Sequence, residues 1–282
     1  MKFKAKSTST LLELVKSEKG YSSNTRTRTV IKSGGVKVEG KIVKIPSTEI
    51  SQGTSIEITS GKMKAVKNDV PYFPHEIIFE DDLLLVVNKR TGVITKSKNG
   101  KLRTLFSSAS AYLKGKGEER PFLVNSVDKK ESGLVLMAKD LRTLKALEIG
   151  WKSFLKRHYI VIPGGMLDEK GKLEDTFHEN DIGLLLPGPG KKTHEVELNY
   201  RVMKTNGEFS AIRVDEISQS KNQIRAMFAS MSNPIVGDKK YRSEYNFEKG
   251  MASHLFSIDL ELDGRELQLR TPIPKTFLKL AR

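Results

Sequence analysis

The spacing of apolar residues at the start of the chain predicts a small mixed unit. Leu11, Leu12 and Val15 share one helical face, which predicts a short amphipathic helix over residues 8–20. A second brief helix is predicted to close at Gly34 and Gly35. Alternating valines then indicate a strand and a tight turn, and a last strand is predicted over residues 54–58. Helices and short strands thus fill a unit of residues 1–60.

The following residues predict a larger unit in which strands predominate. Residues 61–74 carry two prolines and lack periodicity, which is typical of a linker. The run E-I-I-F-E-D-D-L-L-L-V-V-N-K predicts two strands around an acidic turn. Helical spacing recurs over residues 102–113 and 144–155, and four later runs have strand-like patterns, namely V-E-L-N-Y-R-V-M, F-S-A-I-R-V, Q-I-R-A-M-F and F-S-I-D-L-E-L. Clustered strands with few helices predict an α+β domain over residues 75–282.

The charge balance indicates a polyanionic partner. The chain has 49 Lys and Arg against 34 Asp and Glu, which gives a formal charge of +15. Residues 1–62 carry twelve Lys and Arg against five Glu, or +7 of that total. A basic surplus of this size is typical of nucleic-acid binding, and its density is highest in the first unit.

The composition also argues against several classes of site. The chain has no Cys, which excludes disulfides and thiolate ligands and fits a reducing, cytoplasmic location. Its five His show no metal-binding spacing, so we expect no metal. We also expect no membrane association, because no apolar run approaches the ~20 residues that span a bilayer and the first residues do not form a signal peptide.

One carboxylate stands out as a candidate for chemistry. The segment V-N-S-V-D-K-K-E-S-G-L-V-L-M-A-K-D places Asp128 on a polar turn immediately before a Ser-Gly pair and an apolar strand. By spacing alone such an aspartate is usually part of a solvated turn, so a functional interpretation needs further support.

A family resemblance supplies that support. N-S-V-D-K-K-E-S-G-L-V-L-M-A-K resembles, without a gap, the H-R-L-D-x-x-T-S-G-L-x-x-x-A-K signature of the RluA-type pseudouridine synthases. Six further segments resemble that family's pattern in the correct order: I-I-F-E-D-D-L-L-L-V-V-N-K-R-T-G, R-H-Y, S-Q-S-K-N-Q-I-R, N-P-I-V-G-D-K-K-Y, S-H-L and T-P-I-P-K-T-F. This resemblance covers residues 75–282. Residues 8–60 are similar to the S-four-type RNA-binding domain that often precedes such domains.

The resemblance implies isomerisation of uridine to pseudouridine in structured RNA, without a cofactor. The base leaves the anomeric carbon, rotates, and rejoins through a carbon atom. Asp128 matches the family's catalytic aspartate, and its ordinary pKa of about 3.9 would leave it ionised. Tyr159 matches the tyrosine that stacks on the base and assists proton removal at carbon five. Arg225 matches the Q-I-R arginine and is the expected ion-pair partner of Asp128.

Several departures from the family pattern bear on turnover. The arginine that helps to extrude the base corresponds to Ser126, and the histidine that opens the motif corresponds to Asn125. Ser220 and Asn222 replace an Arg and a His before the Q-I-R segment. The chain could therefore act on an unstacked uridine, use Lys129 or Lys130 in place of the arginine, or have lost turnover. The rival hypothesis is a catalytically silent RNA-binding or ribosome-assembly factor.

The basic residues of the first unit are the predicted RNA contacts. Arg26, Arg28, Lys32, Lys37 and Lys41 lie on or beside the predicted helix–turn–strand, and Lys129 and Lys130 flank Asp128. We expect binding to structured RNA to weaken steeply with salt. Ribosomal RNA is the expected partner, with transfer RNA as the alternative, and we expect a monomer. A DNA-binding function is disfavoured because no recognition-helix or zinc-finger pattern is present.

Overall fold

A computed structural model describes residues 1–19, 24–58, 73–97, 102–165, 168–248 and 250–282. The chain divides into two compact units. The first comprises residues 1–72 and 111–120, and the second comprises residues 73–110 and 121–282. The linker predicted over residues 61–74 lies outside the described residues, except for its last two positions.

The first unit contains short strands and two helices. Its strands are β1 (Lys2–Lys4), β2 (Ser9–Thr10), β3 (Val36–Val38), β4 (Lys41–Ile42), β5 (Glu49–Ile50) and β6 (Ser55–Ile58), and its helices are α1 (Leu11–Lys19) and α2 (Asn24–Lys32). A capping box begins α1, because the backbone N–H groups of Thr10 and Glu13 each donate to the other residue's side-chain oxygen. The small core includes Leu11, Ile31 and Ile56, all fully buried. These elements confirm the predicted mixed unit.

The second unit is built on an eleven-stranded mixed sheet. Its strands are β7 (Glu76–Glu80), β8 (Leu84–Lys89), β9 (Phe122–Leu123), β10 (Ser132–Ala138), β11 (Leu155–Pro163), β12 (Lys170–Glu179), β13 (Leu185–Pro187), β14 (Thr193–Thr205), β15 (Phe209–Glu216), β16 (Ser253–Leu262) and β17 (Arg265–Arg270). The main path runs β13-β12-β14-β15-β11-β16-β10-β8-β7, while β17 pairs with β16 and β9 with β10. Among the described pairs only β10 and β16 run parallel, so the predicted α+β class is confirmed.

Four helices accompany this sheet. They are α3 (Leu105–Gly115), α4 (Leu141–Gly150), α5 (Gln223–Ser230) and α6 (Lys275–Leu280). The side chain of Asp140 caps the start of α4 by accepting a hydrogen bond from the backbone N–H of Thr143 at 2.8 Å. The principal core of the unit includes Phe228 of α5 and Phe277 of α6, together with inward-facing residues of β11, β14 and β15.

Two predicted elements differ from the structure. Q-I-R-A-M-F, predicted as a strand, forms most of α5, and residues 223–228 are all buried. A short, continuously buried run does not show the polar face that distinguishes a helix from a strand. The helix predicted over residues 144–155 is too long at its C-terminal end. In the structure α4 ends at Gly150, and β11 begins at Leu155.

A close backbone approach explains the Ser-Gly pair that follows Asp128. Gly133 lies where β10 pairs with β16, and its φ is +124°. A Cβ atom there would lie 2.4 Å from the carbonyl oxygen of Leu255. Only glycine fits both the backbone conformation and this approach, so Gly133 fixes where the loop bearing Asp128 enters the sheet.

Candidate active site

Asp128 lies on a turn directly before β10 and is half-buried. Its carboxylate Oδ1 accepts a hydrogen bond from the backbone N–H of Lys130 at 2.8 Å. Its carbonyl accepts a second hydrogen bond from the backbone N–H of Glu131 at 3.1 Å. The turn therefore orders the aspartate by local bonds, and among the described residues no hydrogen bond to Oδ2 is formed, so that oxygen can accept one from a ligand.

Neighbouring segments hold this turn at several points. The carbonyl of Lys129 accepts a hydrogen bond from Gly92 N–H at 2.7 Å, and that of Lys130 accepts one from Met251 N–H at 2.9 Å. Gly250 lies so close that an added Cβ would be 2.4 Å from the Lys130 oxygen. Backbone contacts from two separate segments thus fix the turn to the sheet.

The buried Lys89, at the end of β8, also supports the turn. Its ammonium Nζ donates to the carbonyl of Glu131 at 2.6 Å, to that of Val93 at 3.1 Å and to that of Arg90 at 3.3 Å. Burial lowers the pKa of Lys89 to about 8, although the carboxylates of Glu131 and Asp128 act in the opposite direction. Lys89 thus joins the end of β8 to the aspartate turn by a hydrogen bond and places an ammonium group next to that turn.

Arg225 is paired with a different aspartate from the one expected. It lies on α5 with 3% of its surface exposed, and its Nε and Nη2 each donate to the carboxylate of the fully buried Asp238 at 2.6 Å. Among the described residues, Arg225 forms no ion pair with Asp128, so the expected pair is replaced by one with Asp238. Burial opposes the charge of the Arg225 guanidinium, but the hydrogen bonds and charge of Asp238 outweigh it and raise the pKa, and Glu131 and Asp128 add smaller contributions, so Asp128 lies within electrostatic range. Arg225 therefore contributes positive charge to the site from α5, and the bidentate ion pair with Asp238 holds its guanidinium in place.

Glu131 is a second carboxylate at the site. It occupies the threonine position of the family signature quoted above, three residues after Asp128. Its Oε1 accepts a hydrogen bond from Ser253 Oγ at 3.1 Å. Burial raises the pKa of Glu131, and the Asp128 carboxylate adds to this, whereas His158, Arg225 and the Ser253 hydroxyl oppose it. Sequence reasoning missed Glu131, although a charged residue at a threonine position was a visible signal.

A half-buried pair of His158 and Glu216 lies within electrostatic range of Glu131. His158 Nε2 is 3.2 Å from Glu216 Oε1. Burial alone would lower the pKa of His158, but the carboxylate of Glu216 outweighs it and Glu131 adds to the rise, so the net pKa is raised. His158 thus provides a third cationic group near Glu131, after Lys89 and Arg225.

The register of β11 places Tyr159 on the other face of the sheet from His158. Successive side chains of a strand point to opposite faces. Tyr159 pairs with Arg213 and His254, while His158 reaches Glu216 on its own face. The described structure shows no hydrogen bond between Tyr159 and Asp128, and burial raises the pKa of the tyrosine hydroxyl. Of the three predicted residues, the site therefore brings Asp128 and Arg225 into electrostatic range and leaves Tyr159 in the core.

The departures around Asp128 have separate structural roles. Asn125 joins the loop to β10, since its Oδ1 accepts from Leu136 N–H at 2.8 Å and its Nδ2 donates to the Leu134 carbonyl at 3.0 Å. Ser126 is exposed. Ser220 Oγ lies 3.1 Å from His194 Nδ1. Asn125 is thus a structural anchor, and Ser126 leaves a small, open position beside the aspartate.

Basic residues surround the aspartate turn. Lys129 and Arg90 are exposed and Lys130 is half-buried. Arg90, Arg103 and Lys89 all contribute to the lowered pKa of nearby His75, after burial as the largest cause, so their positive fields overlap there. This arrangement suits a polyanion that approaches Asp128.

The predicted RNA contacts of the first unit are partly accessible. Lys41 is exposed, whereas Arg28, Lys32 and Lys37 are half-buried. Lys32 Nζ is 3.7 Å from Glu119 Oε1. The side chain of Arg26 lies outside the described residues, so its predicted role stays a prediction.

Two other kinds of site are absent from the described residues. Within the described ranges, no group of three or more His, Asp or Glu residues is placed to hold a metal ion. No helix in the part of the chain that the structure describes is long and apolar enough to cross a membrane.

Comparison with known proteins identifies the family. The family model described as RNA pseudouridylate synthase matches residues 83–230, more than half of the chain. The chain belongs to this family. The resemblance to its RluA-type members is confirmed, and the matched segment contains Asp128, Glu131 and Arg225.

Curated members of the family align over most of the chain. The ribosomal large subunit pseudouridine synthase D of Haemophilus ducreyi is 22% identical over 280 residues, which cover 92% of this chain and 85% of that protein. The uncharacterised RNA pseudouridine synthase YlyB of Bacillus subtilis is 25% identical over 274 residues, which cover 92% and 88%. The likeness therefore includes the first unit as well as the second.

Solved structures share the fold. Human RNA pseudouridylate synthase domain containing 4 aligns with a TM-score of 0.60 at 18% identity, covering 72% of this chain and 90% of that one. Human RNA pseudouridylate synthase domain containing 1 aligns with a TM-score of 0.61 at 15% identity, covering 71% and 84%. These structures show that the large mixed sheet is the family's fold.

Proposed function

We propose that this family member isomerises uridine to pseudouridine in structured RNA, with ribosomal RNA as the target, and that Asp128 is the catalytic residue. The observation that carries the proposal is the ordered Asp128 turn, which keeps one carboxylate oxygen available beside two cations, Lys89 and Arg225. The family, and relatives whose names specify the large ribosomal subunit, support the choice of reaction and RNA.

The charge arrangement suits the chemistry. Asp128 acts on the ribose or the base, and the ammonium of Lys89 and the guanidinium of Arg225 place positive charge within its electrostatic range. Lys89 and Arg225 lie on separate elements and are fixed by hydrogen bonds, so their fields need no rearrangement when the nucleotide binds. Arg225 is thus a positioning and electrostatic residue, not a direct partner of Asp128.

We expect RNA to bind two groups of basic residues, one beside Asp128 and one in the first unit. Exposed Lys129 and half-buried Lys130 would meet phosphates next to the target nucleotide. A second set of contacts to the same RNA, predicted for an S-four-type domain, would come from basic residues of the first unit, namely Arg26, Arg28, Lys32, Lys37 and Lys41. Because Ser126 cannot fill the space of an extruded base, a uridine that is already unstacked is the best substrate, since flipping it costs least.

The test is an in vitro conversion assay. The purified chain is incubated with a large-subunit ribosomal RNA transcript, and pseudouridine is quantified in the product RNA. The proposal expects conversion by the wild type, none by Asp128→Asn, and equal RNA binding by both. A catalytically silent RNA-binding factor would bind the transcript but convert none of it, and that result would refute the enzyme proposal.

A further inference from the structure

A second carboxylate faces the same electrostatic environment as Asp128. Glu131 follows Asp128 by three residues, and its backbone N–H donates to the Asp128 carbonyl at 3.1 Å. Its side chain turns to β16, where Ser253 Oγ donates to Oε1 at 3.1 Å. The residue keeps part of its surface accessible to solvent. The carboxylate is thus held in one orientation at the site without being sealed in the core.

Charged groups on four different segments of the chain interact electrostatically with this carboxylate. They are Asp128 on the same turn, Lys89 at the end of β8, His158 on β11 and Arg225 on α5. Three of these are cationic when protonated, and the fourth is a like charge. The two carboxylates therefore share one field but differ in their hydrogen-bond donors, which are the backbone N–H of Lys130 for Asp128 and the hydroxyl of Ser253 for Glu131.

The reaction moves one proton away from carbon five and one proton to N1. When carbon five bonds to the anomeric carbon, the base holds one extra hydrogen at carbon five, and N1, which left the sugar with its bonding electrons, needs one proton. Loss of the carbon-five proton returns the C–H electron pair to the ring and restores its double bond. One group that accepts one proton and releases one balances the step.

We propose that Glu131 is a second catalytic carboxylate of this site and accepts the proton from carbon five of the rotated base, an inference that rests on the proposed function. Ser253 holds the accepting oxygen in place, and the proton passes to N1 or to water. The division of work follows a general pattern, in which two carboxylates in unlike environments take the separate roles of an ionised group and a proton carrier. Tyr159, on the opposite face of the sheet and still protonated at neutral pH, is a poorer acceptor.

The test follows the proton itself. A large-subunit ribosomal RNA transcript labelled with tritium at carbon five of uridine is mixed with excess enzyme, and tritium release is timed in a single turnover. Removing a general base costs about 10²- to 10⁴-fold in rate, so Glu131→Gln is expected to release tritium at least about 100-fold more slowly. With transcript carrying deuterium at that carbon, the isotope effect on pseudouridine formation is expected to be larger in Glu131→Gln than in the wild type. Exposed Glu266 of β17 supplies the matched control Glu266→Gln, which should behave as the wild type.

Ser253→Ala provides a second variant that leaves the carboxylate in place. The Ser253 hydroxyl lowers the pKa of Glu131, so its removal should shift the acid limb of the pH–rate profile to higher pH. This readout would not move if Glu131 served packing alone, and it decides the matter if Glu131→Gln does not fold.

The outcomes are distinguishable. If the wild type releases tritium and Glu131→Gln matches Glu266→Gln, the inference is wrong and the proposed function stands. If Glu131→Gln is slow but the isotope effect and the Ser253→Ala profile are unchanged, Glu131 is structural and the inference is again wrong. If the wild type converts no uridine and releases no tritium, the proposed function fails and the inference fails with it.

Discussion

Arg225 binds Asp238 through two hydrogen bonds of 2.6 Å, and both residues are almost wholly buried. The same carboxylate accepts hydrogen bonds from the backbone N–H groups of Lys240 and Tyr241. The pair joins α5 to the loop that contains Asp238 and fixes the guanidinium near the Asp128 turn. The position of Arg225 therefore depends on Asp238.

Asp238→Ala should destabilise the protein strongly. Removal of one member of a buried ion pair leaves the other charge without a partner, which costs about 3–5 kcal/mol. Urea unfolding of the variant and the wild type measures this loss. The matched control is Glu179→Ala, which removes the more exposed pair between Lys192 and Glu179 and should cost under about 1 kcal/mol. Equal losses in the two variants would contradict the role given to Asp238.

Glu131→Gln should change how stability depends on pH. The folded protein raises the pKa of Glu131 above its ordinary value of 4.5, so it binds more protons than the unfolded chain above that pH. The stability that Glu131 contributes to the folded protein is therefore lost as the pH rises from the pKa of the unfolded chain to that of the folded protein. Glutamine has no such dependence. The free energy of unfolding of Glu131→Gln, relative to the wild type, should increase as the pH rises above the ordinary pKa of 4.5, and a constant difference would contradict the raised pKa.

Gly250→Ala should displace the aspartate turn. A Cβ at residue 250 would lie 2.4 Å from the Lys130 carbonyl oxygen, whereas one at Gly264 has nothing within 4 Å, and both residues have positive φ. Gly264→Ala therefore reports the cost of backbone strain alone. Pseudouridine formation should fall much further in Gly250→Ala than in Gly264→Ala, and similar activity in the two variants would refute a role for the close contact between Gly250 and Lys130 in fixing the aspartate turn.

Tyr159→Phe should retain most of the activity. The hydroxyl of Tyr159 forms no hydrogen bond in the described structure, and its ring packs in the core. Phenylalanine keeps the ring and removes only the hydroxyl, so single-turnover conversion of the ribosomal transcript separates packing from proton transfer. A 100-fold loss with unchanged thermal stability would show that the tyrosine handles the proton and would count against Glu131.

Lys37→Ala with Lys41→Ala should weaken RNA binding and reduce its salt dependence. Each lost phosphate contact lowers the slope of log affinity against log salt by about 0.7 to 0.9. Lys275→Ala, an exposed lysine of α6 in the second unit, is the control. Titrations of the transcript at several salt concentrations measure the slope, and an unchanged slope in the double variant would exclude these lysines as phosphate contacts.

The sequence predicted most of the elements because their patterns are local. The capped helix α1, the strand pair around Asp81 and the α+β class follow from spacing and turn residues. The helix α5 was predicted as a strand because all of residues 223–228 are buried, which removes the polar face that would reveal helical periodicity. Local pattern thus fails where tertiary burial is complete.

The candidate site was only partly predictable, because it depends on contacts between distant segments. Asp128 and Arg225 lie in segments that match the family signatures. The partner of Arg225, however, is Asp238, which lies on a loop thirteen residues further along the chain. The hydrogen bond of Glu131 spans 122 residues to Ser253. The register of β11 with its neighbouring strands determines the face of the sheet on which Tyr159 lies. The segment R-H-Y alone does not predict that register.

The proposed function requires that Asp128 is the residue through which this chain converts uridine to pseudouridine. The most direct measurement maps pseudouridine at nucleotide resolution in the ribosomal RNA of cells that carry the wild-type protein or Asp128→Asn at equal abundance. The account predicts that at least one site in large-subunit ribosomal RNA is modified with the wild type and unmodified with the variant, while RNA binding persists. Identical maps would contradict it.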